Sequence, residues 1–153
     1  MSFRILAGIA VFLAALDQAW AKSESACLDY EPATVTLTGI VISRTFPGPP
    51  NYESIRDGDT PENYWLLALP RAICVNQKPG DLTNVAKKKI RRVQLVFSSE
   101  TDYEKYRRLL GKRVVATGTL YGSHTGHHKT PVLLTVSSVR KAKMHPRPAS
   151  QRR

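Results

Sequence analysis

Cysteine is nearly absent from this chain: Cys27 and Cys74 are the only two in 153 residues. Two thiols exclude a disulfide-dense scaffold and a four-cysteine zinc site. Acidic residues are also scarce, 12 against 23 Lys and Arg, which leaves a net charge of +11. That balance suits attraction to nucleic acid, an anionic membrane surface or an acidic polymer, and it also suits plain solubility. Long apolar runs are missing too. Ile5–Leu16 holds 12 residues before Asp17, too short to span a bilayer comfortably. The chain is nonetheless 42% hydrophobic, enough for one folded domain of modest size.

The short apolar run follows a cation, Arg4, and precedes Ala19-Trp20-Ala21, with small residues at the two positions signal peptidase reads. Residues 1–21 are therefore expected to be a signal peptide, with a secreted or periplasmic product and no transmembrane segment after cleavage. Removal of Arg4 and Asp17 together leaves the net charge at +11. An even pair of cysteines in an exported chain reads as a disulfide, Cys27–Cys74. Closing a loop of 47 residues stabilises the fold by about 4 kcal/mol on the chain-entropy account.

Along the rest of the chain, Val35–Ile42 is rich in β-branched residues and reads as a strand. Phe46–Pro50 (Phe-Pro-Gly-Pro-Pro) suits neither helix nor central strand, and a polar loop follows to Pro61. Tyr64–Leu69 is a second strand, which Ile73–Val75 either extends or leaves to pair separately. Ile90–Phe97 is a third, with Ile90, Val93, Leu95 and Phe97 inward. The period then changes. Ser99–Leu110 places Tyr103, Tyr106 and Leu110 on one helical face, with Ser99 or Thr101 as cap and Gly111 as stop. Arg113–Tyr121 and Val132–Val139 are strands four and five. Residues 22–140 form the domain. Residues 141–153 carry five cations, no acid and two prolines and read as a disordered basic tail.

The resulting order is strand-strand-strand-helix-strand-strand. It predicts an all-β fold with one helix, an OB-fold-like five-stranded Greek-key barrel. Gly39 and Gly118 fall inside strand patterns, where glycine marks the bulges and sharp bends a small barrel needs.

Two stretches have unusual composition: Pro47-Gly-Pro-Pro-Asn-Tyr-Glu-Ser-Ile55, with Gly58-Asp59 just after, and Thr125-Gly-His-His-Lys-Thr-Pro-Val-Leu-Leu134. On these the chain, from about Cys27 to Val139, resembles a family of exported bacterial proteins known as a domain of unknown function. The resemblance implies a secreted or periplasmic bacterial protein. It implies no activity and assigns no catalytic residue.

An OB-fold binds ligands on the face of strands two and three, between the loops joining strands one to two and four to five. Both unusual stretches fall in those loops. The candidate ligand-binding residues are therefore Asn51, Tyr52 and Glu53 from the first, and His124, His127 and His128 from the second. The three histidines are also the candidate metal ligands for zinc or copper, completed by a carboxylate such as Asp57 or Asp59. No serine elbow or oxyanion motif accompanies Ser54 or Ser123.

Charge is uneven. Residues 27–75 hold three cations and six acids, whereas residues 76–153 hold 18 and four. Lys87–Arg92 enters strand three, and Tyr64, Trp65 and Phe97 can stack on bases if they face outward. Three functions follow. The first is an exported, non-enzymatic binding module holding a small ligand or protein partner between the two loops. The second is a metal-dependent hydrolase built on the histidines. The third is a binder of polyanions or single-stranded nucleic acid. The basic tail adds an anionic polymer or membrane surface as a partner.

Overall fold

The computed structural model describes residues 26–143. The signal peptide read at 1–21 and the sequence beyond Lys143 lie outside the described residues.

Five strands form a closed barrel: β1 (Thr34–Pro47), β2 (Pro61–Val75), β3 (Lys87–Val96), β4 (Arg113–Gly122) and β5 (Val132–Lys141). Their order around the barrel is β1-β2-β3-β5-β4, with β4 returning to β1. A single helix, α1 (Glu100–Tyr106), lies between β3 and β4. This is the OB-like architecture expected from the element order. All neighbours are antiparallel except β3 and β5, which run parallel over Gln94↔Leu133, Leu95↔Leu134 and Val96↔Thr135.

Alternation sets the inside and the outside. In β4 Val114, Ala116, Gly118, Leu120 and Gly122 are buried, while Val115, Thr117 and Thr119 are not. In β1 Val35, Leu37 and Val41 point inward. The predicted inward set of β3, Ile90, Val93, Leu95 and Phe97, is buried as expected. The bends fall at glycine. A Cβ on Gly39 would lie 2.5 Å from the Ala68 carbonyl oxygen, the last β2 position paired before the register shifts. Gly118 sits at the β4–β5 register shift, against the Thr135 carbonyl.

Two boundaries differ from the sequence reading, and one alternative left open there is decided. β1 continues through Phe46 to Pro47, which pair with Glu62 and Pro61. The proline is accommodated because it is the last residue of the ribbon. β2 is one strand through Pro70, because that proline falls in the unpaired gap between Ala68 and Ile73, where no ladder donor is required. β5 takes in Lys141, and the Ala142 N–H bonds the Arg113 carbonyl at 2.9 Å, so the fold outlasts the start assigned to the tail.

The helix is capped differently as well. Ser99 is the N-cap residue but makes no side-chain cap bond. Its hydroxyl meets Thr101 at 2.8 Å and Asp102 at 3.2 Å instead. A final 3₁₀ turn, Arg107–Leu109, follows, and Gly111 at φ 73° turns the chain into β4. The helix packs Tyr103 and Tyr106 on Phe97, with ring centroids 4.7 and 5.5 Å away, and Tyr103 on Trp65 at 5.4 Å. Phe97 is therefore buried beneath the helix, and Trp65 packs half-buried beside it.

Cys27 and Cys74 form the expected disulfide. The bond fixes a short parallel bridge, Leu28↔Val75, in which the Leu28 N–H donates to the Cys74 carbonyl and the Asn76 N–H to the Leu28 carbonyl.

Candidate functional site

The loop after β1 (residues 48–60) is built around one carboxylate. Asp59 is buried and accepts three backbone N–H groups: Asn51 at 2.8 Å, Glu53 at 2.7 Å and Ser54 at 2.8 Å. The Ser54 N–H, foremost among these donors, holds the Asp59 carboxyl below the usual carboxylate range, against the opposing effect of burial. Both Asp59 oxygens thus hold the backbone of the loop. Asn51 and Glu53 enter this network through their backbones. Tyr52, at φ 62°, is turned outward from the same hub.

The loop after β4 (residues 123–131) is built around two histidines and a glutamine. The His124 Nδ1–H donates to the Gly122 carbonyl (3.1 Å), and the His124 backbone N–H donates to His128 Nδ1 (3.0 Å). The two rings stand edge to face, 4.5 Å apart. Burial, with the neighbouring His124 and His127 adding to it, keeps His128 below the usual histidine range. Beneath them, Gln94 of β3 is buried on the outer face of the barrel, in register with Leu66 and Leu133. Its amide donates to the His127 carbonyl (3.1 Å) and accepts from the Lys129 N–H (2.7 Å). Its own backbone N–H donates to the Thr130 hydroxyl at 2.9 Å.

The two loops meet at His127. Tyr64 donates its one hydroxyl proton to Glu62 Oε2, so its oxygen accepts from His127 Nδ1–H at 3.1 Å. With the Nδ1 proton so placed, the neutral form of the imidazole would accept at Nε2 from the Tyr52 hydroxyl, 3.0 Å away. The result is a directed chain, Tyr52 to His127 to Tyr64 to Glu62. Burial, then the bond to Glu62, raises the Tyr64 phenol well above its ordinary value. The Lys129 ammonium crosses between the loops. It donates to the Pro47 carbonyl (2.8 Å) and the Gly126 carbonyl (2.6 Å), and lies 4.9 Å from the Tyr52 ring centre and 5.4 Å from that of Tyr64. Gly126 is required here, because a Cβ on it would come within 2.9 Å of the Tyr52 ring.

Of the six ligand-binding candidates, the fold joins Tyr52 directly to His127. His124 and His128 form a separate pair, His124 opening onto a cleft of about 420 Å³ with Glu31, Asp81 and Tyr121. The three histidines proposed as zinc or copper ligands thus do not converge. Among the described residues no three His, Cys, Asp or Glu side chains are grouped closely enough to hold a metal ion.

Glu62, Gln94 and Lys129 were not singled out from the sequence. The alternation of Glu62, Tyr64 and Leu66 on one face of β2 was the available signal for the first. A Gln flanked by Val93 and Leu95 was the signal for the second.

Beside the clamp lies a groove of about 390 Å³ on the outer face of β2 and β3. It is lined by the basic run Lys87–Arg92, by Phe46 and Leu66, and by Lys129–Pro131. No acidic side chain lines it.

Residues 92–140 match the model of a family described as Domain of unknown function (DUF4431). The match contains the histidine loop and Gln94, and the Asp59-centred loop precedes it. No curated protein matches the chain.

Proposed function

We propose that this chain is an exported, non-enzymatic binding module whose ligand is anionic and lies on the outer face of β2 and β3, beside the clamped loops. The observation that carries this reading is the position of the cationic groove: it abuts Lys129, the residue that ties the two loops together. Its volume suits a small ligand or a short stretch of polymer, and its cations supply a sequence-independent attraction to anions. Phe46 and Leu66 add apolar contact.

The groups at the clamp are occupied with one another. Both His127 nitrogens, both Asp59 oxygens and the Lys129 ammonium are already bonded within the protein. These bonds hold the two loops in a fixed arrangement, which supports reading the clamp as a rigid wall beside the groove. Export is supported by the Cys27–Cys74 disulfide, since oxidising compartments keep such bonds.

Equilibrium binding of polyphosphate, an acidic oligosaccharide and oligo-dT, each measured between about 50 and 200 mM salt, tests the reading. At least one should bind with affinity falling steeply with salt. Lys87→Ala/Lys89→Ala/Arg91→Ala should weaken binding at least about tenfold with the fold intact, as expected when several ionic contacts are removed. Salt-independent binding, or an unaffected triple variant, would overturn it. A rise in Tm on adding zinc or copper would favour the hydrolase instead.

A further inference from the structure

A second cationic groove lies elsewhere. It has a volume of about 560 Å³ and is lined by Lys105, Tyr106, Arg108 and Leu109 from the end of α1, Lys112 before β4, and Val139–Lys141 at the end of β5. It stands at the end of β5 opposite the histidine loop. We infer that this groove is a docking site for an anionic lipid bilayer, with headgroup phosphates meeting the five cations and the upper acyl carbons meeting Tyr106, Leu109 and Val139.

Three observations carry this. The lining contains five cations and no acid. Among the described residues none of the five makes an ion pair, the nearby Glu104 being engaged at 3.8 Å by Arg107, outside the groove. Five like charges around one depression repel one another, and an anionic occupant removes that repulsion.

The cations are also held on a fixed frame. Arg140 and Lys141 pair with Val115 and Val114 in the β4–β5 ladder. The Lys112 N–H bonds the Leu109 carbonyl at 3.0 Å, and the Gly111 N–H bonds the Val41 carbonyl at 2.8 Å. Their positions are therefore set by folding and not by the ligand.

The floor, finally, is apolar. Tyr106, Leu109 and Val139 are half-buried and pack against the core from one side. A fully hydrated polyanion gains nothing from such a floor. A bilayer surface offers phosphates at its rim and methylenes just below, and a tyrosine suits that boundary. The last strand ends at this groove, and the sequence past Lys141 adds Lys143, Arg147, Arg152 and Arg153 with no acid.

The test is co-sedimentation of the full-length mature chain with vesicles of phosphatidylcholine alone or mixed equally with phosphatidylglycerol. Binding should require phosphatidylglycerol. Lys105→Glu/Arg108→Glu/Lys141→Glu should lower partitioning at least about a hundredfold, from roughly fivefold for each cation near an anionic surface. Arg147→Ala/Arg152→Ala/Arg153→Ala should keep the lipid preference, and glycerol phosphate at matched phosphate concentration should not displace the protein. Equal binding to both vesicles, an unaffected groove variant with unchanged Tm, or displacement by glycerol phosphate would each overturn the inference. Because Lys87, Lys89 and Arg91 stay intact, failure here leaves the β2–β3 ligand site standing.

Discussion

Tyr52 and His127, 75 positions apart in sequence, meet at 3.0 Å with their rings edge to face at 81°. With Lys129, this contact joins the two connecting loops, and Tyr64 and Glu62 extend it onto β2. The direction of the chain specifies a tautomer, with the proton on Nδ1. Nitrogen NMR of neutral His127 should therefore show Nδ1–H, and finding Nε2–H would reverse the assigned direction. A double-mutant cycle of Tyr52→Phe and His127→Ala should return a coupling of about 0.5–1.5 kcal/mol.

Gly126 lies flat against the Tyr52 ring. Gly126→Ala should destabilise the protein by about 1–3 kcal/mol through overpacking. Combining it with Tyr52→Ala removes the obstacle, so the double variant should melt higher than the sum of the two single losses implies. Strict additivity in thermal unfolding would contradict the contact.

Asp59 links stability to pH. Its folded pKa lies below the unfolded value, so the unfolded chain binds the proton more readily. The stabilisation is present above the unfolded carboxylate range and is lost as pH falls through the lower, folded value. His128 acts in the same direction at higher pH. Its depressed folded pKa makes acidification below about 6.5 unfavourable to the fold. Tm measured against pH should decline in two stages. Asp59→Asn should flatten the lower stage and His128→Gln the upper.

Gln94→Ala removes a buried amide that serves both the His127 carbonyl and the Lys129 N–H. Leaving such groups unpartnered costs about 1–3 kcal/mol each. Amide exchange at Lys129 should accelerate well beyond that at Val114 in the distant β4 strand.

Reduction of Cys27–Cys74 should cost about 4 kcal/mol. The measurement is urea unfolding of Cys27→Ser/Cys74→Ser, which should keep the barrel's circular dichroism while its midpoint falls.

Much of the barrel was legible because its signals are local. Alternation in Val114–Leu120 and Ile90–Phe97, a helical period at Tyr103–Leu110 and a stop at Gly111 each report on one segment. Pro47 misled because its effect depends on pairing that only the folded ribbon defines: it sits at a strand end, opposite Pro61. The site was partly legible. Assigning both loops to one end of a barrel brought Tyr52 towards His127, but the orientation of adjacent His127 and His128 is set by Gln94 beneath them. Three histidines in five residues read as a candidate metal cluster, but the backbone pairs His124 with His128 and sends His127 to Tyr52 and Tyr64. Asp59 looked like a candidate acid, and its three N–H partners are backbone groups that no composition reveals.

The parallel seam between β3 and β5 is the shortest in the barrel, three registered pairs against nine between β4 and β5. Gln94 stands at its first pair and also holds the histidine loop. The seam and the clamp are therefore one mechanical element. Pulled from its termini, or warmed towards melting, the barrel should part along this line first, as a clasp opens before the band it closes. The loss of the clamp and the opening of the barrel would then appear as a single event.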